Sequence, residues 1–280
     1  RARKPIMSAL KIIGIASRKG GVGKTTLSSN LAFALQKAGH RVMLLDGDLG
    51  LANVQRALGI RPDYNFGHVI SGEKSFNDII VRGPEGIFVV PGASGLGKMA
   101  DLSEAELRGV IQLFSEFKEP LDYLIVDVAA GISPSVLSFL KACHQTLIVV
   151  RDEPSSIADA YGIIKVLVNE QNYTNIGLIP NGVPDQRAGQ LLHHRLNAVC
   201  VKFLNLNTEY LYSIQSDDLI LEASKKYLPV LMHAPGSAAS QNFLKLAKEI
   251  GSLPMDTKQQ GGLQFFVERL VRHEPEVANG

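Results

Sequence analysis

A glycine-rich turn at residues 17–26, SRKGGVGKTT, holds the side chains in this sequence that are best suited to chemistry. Backbone N–H groups of such a turn, together with a following helix N-terminus, can surround a polyphosphate. Lys24 is placed to reach β- and γ-phosphates as a point charge, and the Thr25 hydroxyl to ligate Mg²⁺. The strict phosphate-loop pattern requires glycine where Arg18 stands and does not require a second lysine, Lys19. The backbone can approach the phosphates closely at three glycines, Gly20, Gly21 and Gly23.

Carboxylates follow two other apolar runs of the chain. Asp46 ends the run at residues 41–46 and precedes Asp48, and Asp127 ends the run at residues 123–127. Phosphoryl transfer to water needs a clamp on the phosphate, a metal ion and a group that orients the water. Asp127 has the strand-end position of an acid that contacts Mg²⁺ through water, although a carboxylate satisfied by turn amides is the alternative. Each of the three parts therefore has a candidate residue.

The elements that position these residues alternate along the chain. Continuous apolar runs predict strands that are buried on both faces, and the helical segments between them predict a mainly parallel, doubly wound α/β sheet. Ligands of such sheets bind at the carboxyl ends of the strands, where the loop and the carboxylates fall. The predicted strands are residues 11–16, 41–46, 86–91, 123–127, 146–150 and 177–180. The predicted helices are residues 27–38, 102–117 (with a Ser103–Glu106 capping box), 155–168, 188–203 and 240–250.

Composition limits the class of protein. The 280 residues are 45% hydrophobic and 20% charged, with a formal net charge of +2, which is typical of a globular domain without a strong electrostatic field. The two cysteines form no metal or disulfide pattern, and no apolar run is long enough to span a membrane. We therefore expect a cytoplasmic protein with a flexible basic leader at 1–9, a phosphate-loop domain at 10–251, a linker at 252–262, an amphipathic helix at 263–273 and a tail at 274–280.

The predicted amphipathic helix has apolar residues at i, i+3, i+4, i+7 and i+8: Leu263, Phe266, Val267, Leu270 and Val271. Full burial of one such side chain is worth about 1.5–3 kcal/mol, so partial insertion of five gives weak, reversible membrane binding. Two helices on one dimer bind far better through avidity. The alternative is that this helix docks in a groove on the core of its own chain. The helix would serve for both docking and membrane binding if ATP released it from the groove.

Three stretches resemble the MinD/ParA ATPases with a deviant phosphate loop: KGGVGKTT at 19–26, LLDGDLGLAN at 44–53 and LIVDVAAGI at 124–132. The resemblance implies ATP and ADP as ligands, with the whole loop, including Val22 and Thr26, around the phosphates. It also implies a nucleotide-sandwich homodimer in which Lys19 crosses to the partner's phosphates, as an arginine finger does.

The same resemblance implies roles for four further residues. Asp48 would lie near the attacking water as the catalytic carboxylate, and Asp46 would help near the metal ion. Asn53 would belong to the same switch segment, contacting the partner or water. The Asn181 amide would pair with adenine, although an ordinary turn asparagine is the alternative. The chain departs from the family at Gln215, in the segment IQSD where a proline-containing loop is common, and at Val128, where a small hydroxyl residue is common.

Two stretches resemble one branch of that family, the flagellar-number regulators FlhG and FleN: DEPSSIADAYGIIKVL at 152–167 and GGLQFFVERLVRH at 261–273. The resemblance implies a protein that is reversibly peripheral on the cytoplasmic membrane face and restrains flagellar biosynthesis. Its partners would be a FleQ-type transcription activator and an FlhF-type GTPase. The sequence lacks the segment D-Q-A-x-x-L-R with which some relatives stimulate that GTPase.

Other functions remain open at this point. A MinD-like regulator of cell division would use the same ATPase and tail with different partners. A ParA-like segregation protein would bind DNA without sequence preference through a basic patch, but no dense basic run follows the leader. Direct sequence-specific binding of nucleic acid is not expected either. An iron–sulfur relative would need cysteines at 92–97 or after Asp127, which are absent. A module that binds ATP without hydrolysis is disfavoured by the intact lysines and carboxylates.

Overall fold

The computed structural model describes residues 10–48, 53–92, 103–254 and 265–266. Its strands form a single twisted sheet in the order β3-β4-β2-β5-β1-β6-β7-β8, with β9 added beside β7. All pairs are parallel except β3 with β4. The strands are β1 (Lys11–Ala16), β2 (Val42–Gly47), β3 (Val81–Arg82), β4 (Phe88–Val90), β5 (Tyr123–Val128), β6 (Gln145–Val150), β7 (Ile176–Val183), β8 (Glu209–Tyr210) and β9 (Ile214–Gln215).

Helices cover both faces of this sheet, and a separate apolar core lies under each layer. One layer contains α1 and α11, and the other contains α5, α6, α7 and α8. The helices are α1 (Lys24–Lys37), α2 (Val54–Ala57), α3 (Phe66–Ile70), α4 (Phe76–Ile79), α5 (Glu104–Leu113), α6 (Pro134–Lys141), α7 (Pro154–Gln171), α8 (Gln186–Leu204), α9 (Asp218–Lys225), α10 (Val230–His233) and α11 (Ala238–Ser252). This arrangement is the predicted doubly wound α/β fold.

Each apolar run that predicted a strand does form one, and every residue of the three central strands β5, β2 and β6 is buried. The Ser103–Glu106 capping box is present at the start of α5. The predicted end of the sixth strand was wrong, because β7 continues past Pro180 to Val183 and pairs with β9 there. Asn181 therefore lies within a strand, not in the turn after it.

The predicted leader, most of the linker and the last residues fall outside the described part of the chain, as do Leu263, Val267, Leu270 and Val271. Phe266 is described, and it is fully buried, as is Phe265. Phe114 packs edge-to-face on both rings, with centroid distances of 4.8 Å to Phe265 and 5.7 Å to Phe266. Phe139 stacks on Phe265 at 6.2 Å. These contacts place the two described residues in the core, as the core-docking alternative expects for Phe266.

Among the described residues, no helix has the length and hydropathy required to cross a bilayer.

Candidate active site

The phosphate loop joins the end of β1 to the start of α1. Gly23 is the N-cap of α1 and has φ 97°, in the left-handed region that glycine adopts without strain. A Cβ at this position would lie only 2.4 Å from Asn181 Nδ2, so β7 also excludes a side chain here. Ser17 Oγ donates a hydrogen bond to the Lys19 carbonyl at 2.6 Å and closes the turn. Contacts within the chain therefore fix the shape of the loop.

Two hydroxyls of α1 hold the carboxylate of Asp127. Thr25 Oγ1 donates to Asp127 Oδ2 at 2.7 Å, and Ser28 Oγ lies 2.9 Å from Oδ1. Thr25 and Ser28 are three residues apart, so they share one face of the helix. Hydroxyl and carboxylate oxygens at this spacing are the hard ligands that Mg²⁺ prefers, with waters completing its shell. The residues present thus fit the predicted metal ion, which Thr25 and Asp127 would hold.

Burial and neighbouring opposite charges act in opposite directions on the pKa values of Asp127 and Lys24. Burial raises the pKa of the Asp127 carboxyl to about 6, although the Thr25 and Ser28 hydrogen bonds and the charge of Lys24 oppose the shift. Burial lowers the pKa of the Lys24 ammonium, and the charges of Asp127 and Asp48 oppose that shift. A buried cation beside a glycine-rich turn is well placed to attract a phosphate group, since the low dielectric strengthens the interaction.

Asp46 lies beside Asp127 in the register of β2 and β5. Its Oδ2 accepts hydrogen bonds from the backbone N–H groups of Asn53 at 2.8 Å and Val54 at 3.0 Å, and its Oδ1 accepts from the Asp48 N–H at 3.3 Å. Both carboxylate oxygens thus bind the backbone of the switch segment, while the role of Asp46 near the metal ion stays a prediction. Burial and the neighbouring Asp127 raise the pKa of Asp46 well above its usual value.

Asp48 and Asn53 flank residues 49–52, which lie outside the described part, and their side chains are in contact. Asn53 Nδ2 donates to Asp48 Oδ2 at 3.3 Å. The backbone hydrogen bonds to Asp46 position both residues at the carboxyl end of β2, on the same sheet edge as the phosphate loop. The predicted catalytic carboxylate is thus near the loop and is oriented by the predicted switch asparagine.

Lys19 lies at the mouth of the loop with 64% of its side chain exposed. Its Nζ is 3.0 Å from Asp159 Oδ2 on α7, and Arg18 Nε is 3.9 Å from Asp159 Oδ1. The Arg18 guanidinium lies against Gly162 one turn further along the helix, where a Cβ would come within 2.3 Å of its Nη1. A cleft opens between the loop and the start of α7. Arg18, which stands where the strict phosphate-loop pattern has glycine, thus joins the loop to α7.

Asn181 supports the loop from β7. Its Nδ2 donates to the Val22 carbonyl at 2.7 Å. One N–H of the amide is therefore used by the protein, and the carbonyl oxygen is the group available to accept from an adenine amino group. Gln215 on β9 is held by Asn242, whose Nδ2 donates to Gln215 Oε1 at 3.3 Å.

Sequence reasoning missed two functional side chains. Ser28 holds Asp127 and could have been recognised from its i+3 spacing to Thr25. Asp159 is the intrachain partner of Lys19, and no local pattern marks it because the two residues are 140 positions apart in sequence.

The loop, the strand-end carboxylates and the sheet order agree with a family match that covers residues 13–230: the CobQ/CobB/MinD/ParA nucleotide binding domain. The chain belongs to this family. Antiactivator FleN of Pseudomonas aeruginosa is 42% identical over 95% of this chain and 95% of its own length. Flagellum site-determining protein YlxH of Helicobacter pylori is 33% identical over 94% of this chain and 90% of its own length.

Solved structures of MinD proteins share the fold. The septum site-determining protein MinD of Pyrococcus horikoshii, complexed with Mg-ADP, superimposes with a TM-score of 0.73 at 26% identity, covering 87% of this chain and 97% of that one. The cell division ATPase MinD of Pyrococcus furiosus gives 0.72 at 28% identity, covering 86% and 98%. This MinD/ParA-type chain is an ATPase, and the predicted nucleotide and Mg²⁺ fit the residues described above.

Proposed function

We propose that this ATPase is a switch that restrains flagellar biosynthesis: with ATP it dimerises, attaches to the cytoplasmic membrane face and antagonises a FleQ-type transcription activator. The observation that carries the proposal is the likeness to the antiactivator FleN, which extends over 95% of both chains. The second flagellar relative, YlxH, matches over nearly the same length. An FlhF-type GTPase is the second proposed partner.

In the proposed reaction, the loop residues Gly20–Thr26 bind the nucleotide, and Lys24 neutralises charge on the transferring phosphate. Bound Mg²⁺ supplies further neutralisation of the phosphate oxygens. Asp48, oriented by Asn53, holds the attacking water in line with the phosphate. Asp46 fixes the switch backbone that carries both residues. Asn181 supports the loop and offers its amide oxygen to adenine.

Lys19 gives the reaction its dependence on dimerisation. It is exposed at the mouth of the loop, and its Nζ lies 3.0 Å from Asp159 Oδ2. We infer that Lys19 exchanges Asp159 for the phosphates of a partner subunit when the dimer forms. Hydrolysis is expected to be slow in the monomer and faster in the dimer, because the crossing charge stabilises the transition state.

The buried pair Phe265 and Phe266 supports a membrane switch. With both rings against Phe114, Phe266, one of the five residues proposed to contact the membrane, is buried in the core. Attachment therefore requires release of this segment. We infer that dimerisation with ATP releases it, and that two released segments bind the membrane through avidity.

The decisive experiment is complementation of a Pseudomonas aeruginosa strain that lacks FleN, with flagella counted by electron microscopy. The wild-type chain should restore the normal number, whereas Lys24→Ala and Asp48→Ala at equal expression should not. A strain of Bacillus subtilis lacking MinD provides the alternative arm. Restored septum placement there, with flagellar number unchanged in the first strain, would replace the flagellar role with a division role.

A further inference from the structure

One carboxylate at the mouth of the phosphate loop faces two cations. Asp159, on α7, lies 3.0 Å from Lys19 Nζ through Oδ2 and 3.9 Å from Arg18 Nε through Oδ1. Its side chain is 17% exposed, and Oδ2 accepts no hydrogen bond from the described residues. The two cations therefore compensate the charge of a mostly buried carboxylate. Because one negative charge faces two positive ones, the carboxylate stays paired when one of the cations leaves.

The two cations are held differently. The Lys19 side chain is 64% exposed, and its ammonium is a point charge on a flexible stem. The Arg18 side chain is 45% exposed, and its guanidinium lies against Gly162, three residues after Asp159 on the same face of α7. A Cβ at Gly162 would clash with Arg18 Nη1, so the missing side chain makes room for the guanidinium. Lys19 is therefore the cation that can leave, and Arg18 is the one that stays.

We propose that Arg18 is a positioning residue that keeps Asp159 paired when Lys19 crosses to the phosphates of a partner subunit. This role rests on the crossing of Lys19 proposed above, and it belongs to a residue that stands where the strict phosphate-loop pattern has glycine. A guanidinium is a planar fork whose N–H groups can bind both oxygens of one carboxylate. When Lys19 leaves, Arg18 can therefore take over Oδ2 from its place on α7.

Without Arg18, departure of Lys19 would leave the Asp159 carboxylate mostly buried and unpaired. An uncompensated buried charge is strongly unfavourable, so this penalty would oppose dimer formation and hold Lys19 in its own subunit. With Arg18 present, the carboxylate keeps a partner in the monomer and in the dimer. Arg18 thus favours the ATP dimer through Asp159.

The alternative role for Arg18 is a direct one, in which its own guanidinium reaches a partner's phosphates. The contacts with Asp159 and Gly162 direct the guanidinium along α7 of its own chain, which favours the positioning role. The two roles also differ in what they require. Positioning requires the charge of Asp159, whereas a direct contact with phosphate does not.

The first measurement needs neither nucleotide nor a partner. Urea unfolding of the full chain compares the effect of Arg18→Gln in the wild type with its effect in Lys19→Ala. We expect a larger downward shift of the midpoint in Lys19→Ala, because Arg18 is then the remaining cation beside the carboxylate. Addition of Asp159→Asn should abolish this excess shift. Equal shifts in both backgrounds, or an excess that persists with Asp159→Asn, overturn the proposal.

The second measurement is the dissociation constant of the dimer with a slowly hydrolysed ATP analogue, from light scattering over a range of protein concentrations. We expect Arg18→Gln to weaken the dimer at least about tenfold, and Arg18→Gln/Asp159→Asn to dimerise as Asp159→Asn does. Arg41→Gln is the matched control and should dimerise as the wild type does. Arg41 is 42% exposed and pairs with Asp122, which is 11% exposed, at the amino ends of β2 and β5.

Three results of the second measurement would contradict the proposal. Equal dimer affinities of the wild type and Arg18→Gln overturn it and leave the crossing of Lys19 intact. A dimer that Arg18→Gln weakens equally with and without Asp159→Asn assigns Arg18 a direct contact with the partner subunit instead. A wild type that stays monomeric with the ATP analogue overturns the proposed switch, and the positioning role of Arg18 with it.

Discussion

Lys19 Nζ lies 3.0 Å from Asp159 Oδ2, so the second lysine of the phosphate loop is bound to helix α7 of its own chain. The lysine is mostly exposed, whereas 17% of the aspartate side chain is exposed. Within one chain, Lys19 thus joins the loop to α7, whereas the proposed reaction uses Lys19 at the partner's phosphates. Exchange of this contact for a partner's phosphate would link nucleotide state, dimer formation and the position of α7.

Lys19→Ala is expected to abolish the ATP-dependent dimer while the monomer still binds ATP. Lys24 and the loop amides remain, so the affinity for nucleotide should change by less than about tenfold. Light scattering of the variant with a slowly hydrolysed ATP analogue measures the mass, and calorimetry measures the affinity. Lys37→Ala, which removes a lysine at the far end of α1, is the matched control. A normal dimer of Lys19→Ala would remove the crossing lysine from the mechanism.

Asp48→Ala is expected to retain ATP binding and the dimer but lose hydrolysis. The substitution removes the carboxylate proposed to orient water, and general base or positioning groups contribute typically about 10²–10⁴-fold. Phosphate release under saturating ATP measures turnover. Asp63→Ala removes an exposed carboxylate outside the site and should leave turnover unchanged. Wild-type turnover by Asp48→Ala would show that another group performs this step.

Asn181→Ala is expected to weaken ATP and GTP together and also to reduce the preference for ATP. Loss of the hydrogen bond from Nδ2 to Val22 loosens the loop by about 0.5–1.5 kcal/mol, whichever base is bound. Loss of the amide oxygen removes the acceptor proposed for adenine. Competition of both nucleotides with a fluorescent analogue separates the two effects. Asn175→Ala, whose amide binds the His144 carbonyl away from the site, is the control. An unchanged ATP/GTP ratio would limit Asn181 to supporting the loop.

Phe114→Leu is expected to increase membrane binding in the ADP state. The variant loses its aromatic contacts with Phe265 and Phe266, and each such pair contributes about 0.5–1.5 kcal/mol beyond its burial, so release should increase roughly tenfold. Vesicle co-sedimentation measures the bound fraction. Phe88→Leu is the control for general loosening of the core, because Phe88 packs on Phe117. Equal increases in both variants would show that the contacts of Phe114 with Phe265 and Phe266 do not specifically hold the tail.

A pH dependence of stability is expected from His193. Burial lowers the pKa of this imidazole below 6.5, and the neighbouring His194 lowers it further. The hydrogen bond from the imidazole N–H to the Thr208 carbonyl opposes this shift. The unfolded chain therefore binds the proton more tightly, and the free energy of unfolding should fall as pH decreases through about 6.5. Urea unfolding at about pH 7.5 and 5.5 should show a smaller difference for His193→Asn than for wild type. The control His40→Asn should retain the wild-type difference. If His40→Asn reduces this difference as much as His193→Asn does, His193 is not its cause.

Strands and loop chemistry were predictable from local sequence. The runs at β1, β5 and β6 are apolar at nearly every position because both faces of the sheet are covered, and this pattern needs no tertiary information. The two-residue strands β3, β8 and β9 were not predicted, because two residues have no measurable periodicity. The extension of β7 past Pro180 depends on pairing with β9, so it was missed for the same reason.

Roles that depend on backbone geometry or long-range contact were less predictable. Asp46 follows an apolar run, and the sequence does not show that the backbone N–H groups of Asn53 and Val54 bind its carboxylate. Phe266 fits an apolar helical stripe by its spacing, whereas its burial together with Phe265 depends on contacts with Phe114, which is distant in sequence. Neither set of contacts follows from a periodic pattern.

The central claim is that ATP converts a monomer with a sequestered tail into a membrane-bound dimer. Vesicle co-sedimentation with ADP or with a slowly hydrolysed ATP analogue tests it most directly, with the mass recorded by size exclusion and light scattering. The full chain is compared with a chain ending at Gly262. We predict binding only with the ATP analogue, only with the tail present and only at the mass of a dimer. Binding that is equal with ADP, or equal without the tail, would contradict the account.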